Sequence, residues 1–161
     1  MSNIDNFKHL YAFHFDTLFR MMSSAENLSQ LDILEQPGYG RGSIYDLLFH
    51  LLGTDRGWRM ALEIGQRPAP LQPEHYPDLV ALRQGFENER SAWDRFLKSL
   101  AEDEIDKDVE LAAGPGRMMS VGRWKVLQHV LFHGMQHQAE LAQLLTNKGQ
   151  SPGDIDLIFY S

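Results

Sequence analysis

The chain has 161 residues, 43% of them hydrophobic and 23% charged, with 15 Lys and Arg against 22 Asp and Glu for a net charge of -7. That length suits one domain spanning residues 1–161 with a full core, and an acidic balance without a basic run argues against nucleic acid or an anionic membrane as partner. Cysteine is absent, which excludes disulfides, thiolate metal ligands and a cysteine nucleophile; with no basic, apolar leader and no run of about 18 apolar residues, the expected setting is cytoplasmic.

Four amphipathic helices follow in chain order. The first is expected from about Asn3 to Leu28, where Phe7, Tyr11, His14, Leu18 and Met21 form one stripe. The segment LEQPGYGRGS then reads as a loop, and Ser43 with Asp46 three residues on has the spacing of a capping box. A second helix is predicted from Ile44 to about Ile64, with Ile44, Leu48, Leu51, Trp58 and Leu62 as its apolar face. Gly65 and Pro68 stop it, and RPAPLQPEHYP is a proline-rich connector.

A third helix is predicted after Asp78, with Leu79, Leu82, Phe86, Trp93, Phe96 and Leu100 at three- and four-residue steps. Residues DVELAAGPGRMMS break that rhythm, and GPG between two short apolar runs suggests a small hairpin. Ser120 is positioned to cap a fourth helix running to about Asn147, with Gly149 and Pro152 as its stop. The tail GDIDLIFYS is apolar enough to pack down. Long amphipathic helices with short connections predict an all-α, four-helix-bundle fold.

The chemistry lies in the histidines, of which there are seven. His133 and His137 stand four apart, so on a helix both imidazoles face one point about a turn apart. At about 100° per residue, His129, Glu140 and Leu144 share their stripe. Neutral imidazoles each carry a donor and an acceptor that need partners when buried, and a metal satisfies one nitrogen of each ring. His50, flanked on its own stripe by Ser43, Asp46, Thr54, Gly57 and Ala61, is placed to complete the set beside an open space. Three histidines leave coordination positions open, an arrangement for chemistry more than for bracing.

Other readings of the spacing fail or weaken. A zincin needs Glu directly after the first histidine, where this chain has Gly134. A di-iron carboxylate bundle needs paired Glu-x-x-His motifs, and the sequence has none. His14, mid-stripe among Phe7, Tyr11 and Leu18, reads as a core histidine hydrogen-bonded to a neighbour. His129 reads as lining the space or supporting the ligands, and His9 and His75 as solvent-exposed.

With SIYDLLFHLLGTDRGW, WKVLQHVLFHGMQHQAELAQLL and SPGDIDLIFY in that order, the whole chain resembles the DinB/YfiT-like superfamily of metal-dependent proteins. The resemblance is sharpest in the last quarter, where members carry an HVVNHGxHHRGQ-like helix followed by a P-x-D-hydrophobic tail. It implies an up-down-down-up four-helix bundle, often a homodimer, and a metal triad of His50, His133 and His137. The chain departs from the pattern at Gln136, where many members have a second histidine, and at Gln138, Ala139 and Glu140 in place of Arg-Gly-Gln. Glu140 faces the ligand stripe, placed to hydrogen-bond an imidazole or a bound water, or to sit as a boundary carboxylate.

The resemblance also implies a metal-dependent enzyme acting on a small molecule, of the thiol-dependent S-transferase or hydrolase type. Lacking cysteine, the chain would take its thiol from a low-molecular-weight co-substrate. The rival is a non-catalytic metal-binding or stress-response module whose ion is structural or sensory. Imidazole suits Zn, Ni, Fe, Co or Cu; zinc and nickel come first, with iron, cobalt or manganese as alternatives. No catalytic residue is assigned, and Asp46, Thr54 and Glu140 are candidates only for supporting the ligands.

Overall fold

In a computed structural model that describes residues 3–114 and 116–161, the chain is mostly helical with one small antiparallel hairpin. The elements are α1 (Asn3–Ala25), α2 (Gln30–Leu34), α3 (Ile44–Ile64), α4 (Leu79–Ser99), β1 (Asp108–Gly114), β2 (Arg117–Gly122) and α5 (Arg123–Asn147). This agrees with the all-α expectation. Each long helix packs on two others: α1 lies against α4 and α5, and α3 lies against the same pair.

Local chemistry sets most of the boundaries. On α1 the whole stripe Phe7, Tyr11, His14, Leu18 and Met21 is buried. The helix ends at Ala25, short of Leu28, because Ser29 must turn extended to accept the backbone N–H of Asp32 and cap α2. That short helix was not anticipated, although Ser29 and Asp32 have the same spacing as Ser43 and Asp46. The glycine loop follows, with Gly38, Gly40 and Gly42 all at positive φ.

Ser43 and Asp46 form the expected capping box: Asp46 N–H donates to Ser43 Oγ at 3.1 Å and Ser43 N–H to Asp46 Oδ2 at 2.9 Å. Gly65 closes α3 in the left-handed region, its N–H on the carbonyl of Ala61. Asp78 caps α4 through Ala81 N–H. Leu82, Phe86, Trp93 and Phe96 are buried, and Leu79 and Leu100 pack at the core's edge. Trp93 lies against Tyr11 with ring centroids 4.4 Å apart.

The expected hairpin is present, with Val109 opposite Val121 and Leu111 opposite Met119; Pro115 of the GPG turn lies outside the described residues. Contrary to expectation, Ser120 does not cap α5. Ser120 sits in β2 opposite Glu110, and the N-cap of α5 is Gly122. No side-chain cap is needed, because Arg123 N–H and Trp124 N–H reach the carbonyls of Lys107 and Ile105, each at 3.0 Å. The tail packs down only in part. Tyr160 donates to Asp16 Oδ2 at 2.5 Å and Pro152 is buried, while Ile158 and Phe159 stay 84% and 74% exposed. No helix among the described residues is long and apolar enough to cross a membrane.

Candidate metal centre

The contact of α3 with α5 brings His50 against both His133 and His137. His50 Nε2 lies 3.2 Å from His133 Nε2, and one ligating nitrogen from each of the three rings falls within 4.8 Å of the others. Two imidazole nitrogens on one tetrahedral zinc, at bonds of about 2.0–2.1 Å, stand about 3.3 Å apart. The observed gap therefore matches the edge of such a site. The donor set is sterically ready for a cation, and His50, expected beside an open space, is half-buried there instead of facing water.

Hydrogen bonding orients the third ring. His137 Nδ1 lies 3.1 Å from Glu140 Oε2, one turn on, so its Nδ1–H donates to the carboxylate and Nε2 is left free as a ligand. The hydrogen bond to an imidazole expected of Glu140 is present, on a carboxylate that still sits at the boundary, 35% exposed. His129 is exposed, packs edge-on against Trp58 at 5.0 Å and lies outside the cluster. His9 and His75 are exposed, as expected.

Protonation is biased toward the ligating form. Burial, then the charges of Arg41, His137 and His133, push the His50 pKa down to about 4 from 6.5. Burial also lowers His133, reinforced by His137 and His129 and partly opposed by Asp55. At neutral pH both rings are neutral. The linkage has a definite sign: an imidazole depressed in the folded state binds its proton first in the unfolded chain. Stability of the metal-free protein is then full above about pH 6.5 and falls as pH drops toward about 4. Urea denaturation across that window should show wild type losing more stability than His50→Gln; equal losses would contradict the assignment.

Behind the cluster lies a buried polar network that the sequence reading had only in part. His14 Nε2–H donates to Asp55 Oδ2 at 3.0 Å, both residues almost fully buried. Gln138 Nε2 donates to the His14 carbonyl and to His14 Nδ1, each at 3.0 Å. Because a carbonyl only accepts, that first bond fixes the amide's orientation and makes Nδ1 the acceptor. His14 is thus the hydrogen-bonded core histidine expected. Asp55 and Gln138 were missed. Asp55 falls four residues after Leu51 and seven after Leu48, an acid on the apolar stripe of α3, and that was the available signal.

Gly134 makes room for this arrangement. A Cβ there would come within 2.4 Å of His14 Cε1 and 2.7 Å of Nδ1. The glycine between the two α5 ligands therefore lets the His14 ring press against the helix backbone.

A cavity of about 540 Å³ opens beside His50, lined on α3 by Asp46, Gly53, Thr54, Gly57 and Trp58. Thr54 turns its hydroxyl back to the His50 carbonyl at 3.1 Å. Gly57 forms part of the floor, and nothing lies within 4 Å of where its Cβ would stand. A mid-helix glycine costs about 0.5–1 kcal/mol relative to alanine. Gly57→Ala should stabilise the protein by about that amount in urea denaturation; a loss of stability would show that the floor is not open.

Among solved structures, the fold is similar to that of a DinB-like protein from Bacillus subtilis, at 17% identity and a TM-score of 0.69, over 97% of this chain and 98% of that one. No curated protein matches the sequence. Residues 1–161 match the DinB family along their whole length, and the chain belongs to that family.

Proposed function

We propose that His50, His133 and His137 hold a divalent transition metal, zinc or nickel before iron, cobalt or manganese, and that the protein is a metal-dependent enzyme of the thiol-dependent S-transferase or hydrolase type. The four long helices are taken as the up-down-down-up bundle of that superfamily. The carrying observation is an imidazole cluster with ligand spacing, one member of which, His50, lines a cavity large enough for a small molecule. A bracing site would be closed by a fourth protein ligand.

When bound, the ion would supply Lewis acidity, drawing the pKa of a water or thiol at the site toward neutrality. The chain's own residues do the rest. His50 and His133 present neutral nitrogens, and Glu140 holds His137 in the tautomer with Nε2 free. A thiol nucleophile must come from a co-substrate, since the chain has no cysteine. The working assembly is taken as the homodimer that the resemblance to the superfamily implies.

Assay of metal-loaded protein with several low-molecular-weight thiols and a halogenated or epoxide electrophile tests the reading. Turnover that disappears in His50→Ala and His137→Ala, with the helical circular dichroism signal retained, is the expected result. Absence of turnover together with unfolding on chelation would overturn it in favour of a structural or sensory ion.

A further inference from the structure

The cavity beside His50 is unusual for an acidic chain in gathering three arginines, Arg41, Arg56 and Arg67. Arg41 comes from the glycine loop, Arg56 from α3 and Arg67 from the connector after it. Elsewhere among the described residues Arg59, Arg83, Arg90 and Arg123 each meet a carboxylate within ion-pair distance, while Arg20, Arg95 and Arg117 do not. Among the described residues none does so for these three. The one carboxylate in the lining, Asp46, has its Oδ2 taken up by Gln36 and by the backbone N–H and hydroxyl of Ser43.

The arginines are nonetheless positioned. Arg67 lies over the Trp58 ring with its guanidinium carbon 4.0 Å from the centroid, which holds the group by its face and leaves the N–H edges free. Arg56 donates one N–H to the carbonyl of Ala69 at 3.2 Å and keeps the others. Guanidinium forks of this kind match the two oxygens of a carboxylate or phosphoryl group. Three arginines against the single carboxylate of Asp46 leave the lining with a positive excess, which concentrates anions, here against a net charge of -7.

We propose that this cavity is a subsite for an anionic small molecule, one bearing a carboxylate or phosphoryl group, which Arg56 and Arg67 grip and Arg41 attracts at the mouth. The group would anchor a ligand whose other end extends past Gly53 and Thr54 to His50. That the ligand is a substrate rests on the reading of the histidine cluster as a metal centre; the anion site itself does not.

Titration calorimetry on the full chain, metal-free and zinc-loaded, with succinate and separately with inorganic phosphate, tests the proposal. Either anion should bind wild type, the tighter one identifying the group recognised. The double variant Arg56→Gln/Arg67→Gln should lose at least about tenfold in affinity, as each charge-assisted bond is strong enough to require. Arg95→Gln, an exposed cation outside the cavity, should change nothing. Gly57→Phe, which fills the floor, should also abolish binding. No binding of either anion in either metal state, or binding indifferent to the double variant, would overturn the proposal. Zinc content measured alongside separates the two readings. Zinc bound without anion binding removes the subsite alone, and arginine-dependent anion binding without zinc supports the subsite while removing the metal centre.

Discussion

His133→Ala is expected to weaken divalent-metal binding by more than about 100-fold, because even a partner that only orients a ligand is worth about 10–100-fold. The three rings form a nearly equilateral triangle, with centroids 4.6 to 5.1 Å apart, and His133 Nε2 lies 3.2 Å from that of His50. Removing His133 leaves His50 and His137 still in contact but only two nitrogens to hold the ion. The ring is half-buried, so its loss should leave the helical fold intact. Glu140→Gln provides the graded comparison: His137 stays, its orienting carboxylate goes, and the loss should fall within about 10–100-fold. Zinc titration in competition with a chromophoric chelator reads both. Equal affinity in wild type and His133→Ala would sink the assignment of that ligand.

The second large effect falls on stability. Gly134→Ala adds a methyl that meets the buried His14 ring at 2.4 Å, with no flexible chain end to yield. Overpacking of this kind costs about 1–3 kcal/mol. Moving the ring also breaks its bonds to Asp55 and Gln138, and stranding buried partners costs about 1–3 kcal/mol more. A loss of about 2–6 kcal/mol is expected in urea denaturation of the metal-free protein. The companion His14→Ala relieves the clash while still stranding Asp55, so Gly134→Ala should cost little extra in that background. A neutral Gly134→Ala would mean that the glycine is not a seat for His14.

Much of the architecture was legible because local chemistry and pattern agreed. The capping box at Ser43, the glycine stop at Gly65, the apolar stripe of α1 and the hairpin all stand where the sequence places them. The histidine triad was legible for a narrower reason. The spacing of His133 and His137 fixes a common face on one helix, and the small residues around His50 mark an edge that no packing side chain fills. Tertiary satisfaction was what escaped. Ser120 looked like a cap because the sequence does not show that the carbonyls of Ile105 and Lys107 already serve the first N–H groups of α5. Asp55 and Gln138 were passed over because their partner His14 lies on another helix, 41 and 124 residues away in sequence. The convergence of Arg41, Arg56 and Arg67 depends on how the loop and the connector fold back beside α3, which no periodicity records.

The central claim is tested most directly by metal analysis of protein purified without an affinity tag, after full supplementation, beside the variant His50→Ala/His133→Ala/His137→Ala. Plasma mass spectrometry should find about one divalent transition-metal ion per wild-type chain, as one three-histidine site requires, and none retained by the triple variant. A wild-type chain with no bound metal, or a triple variant that keeps its ion, would contradict the account.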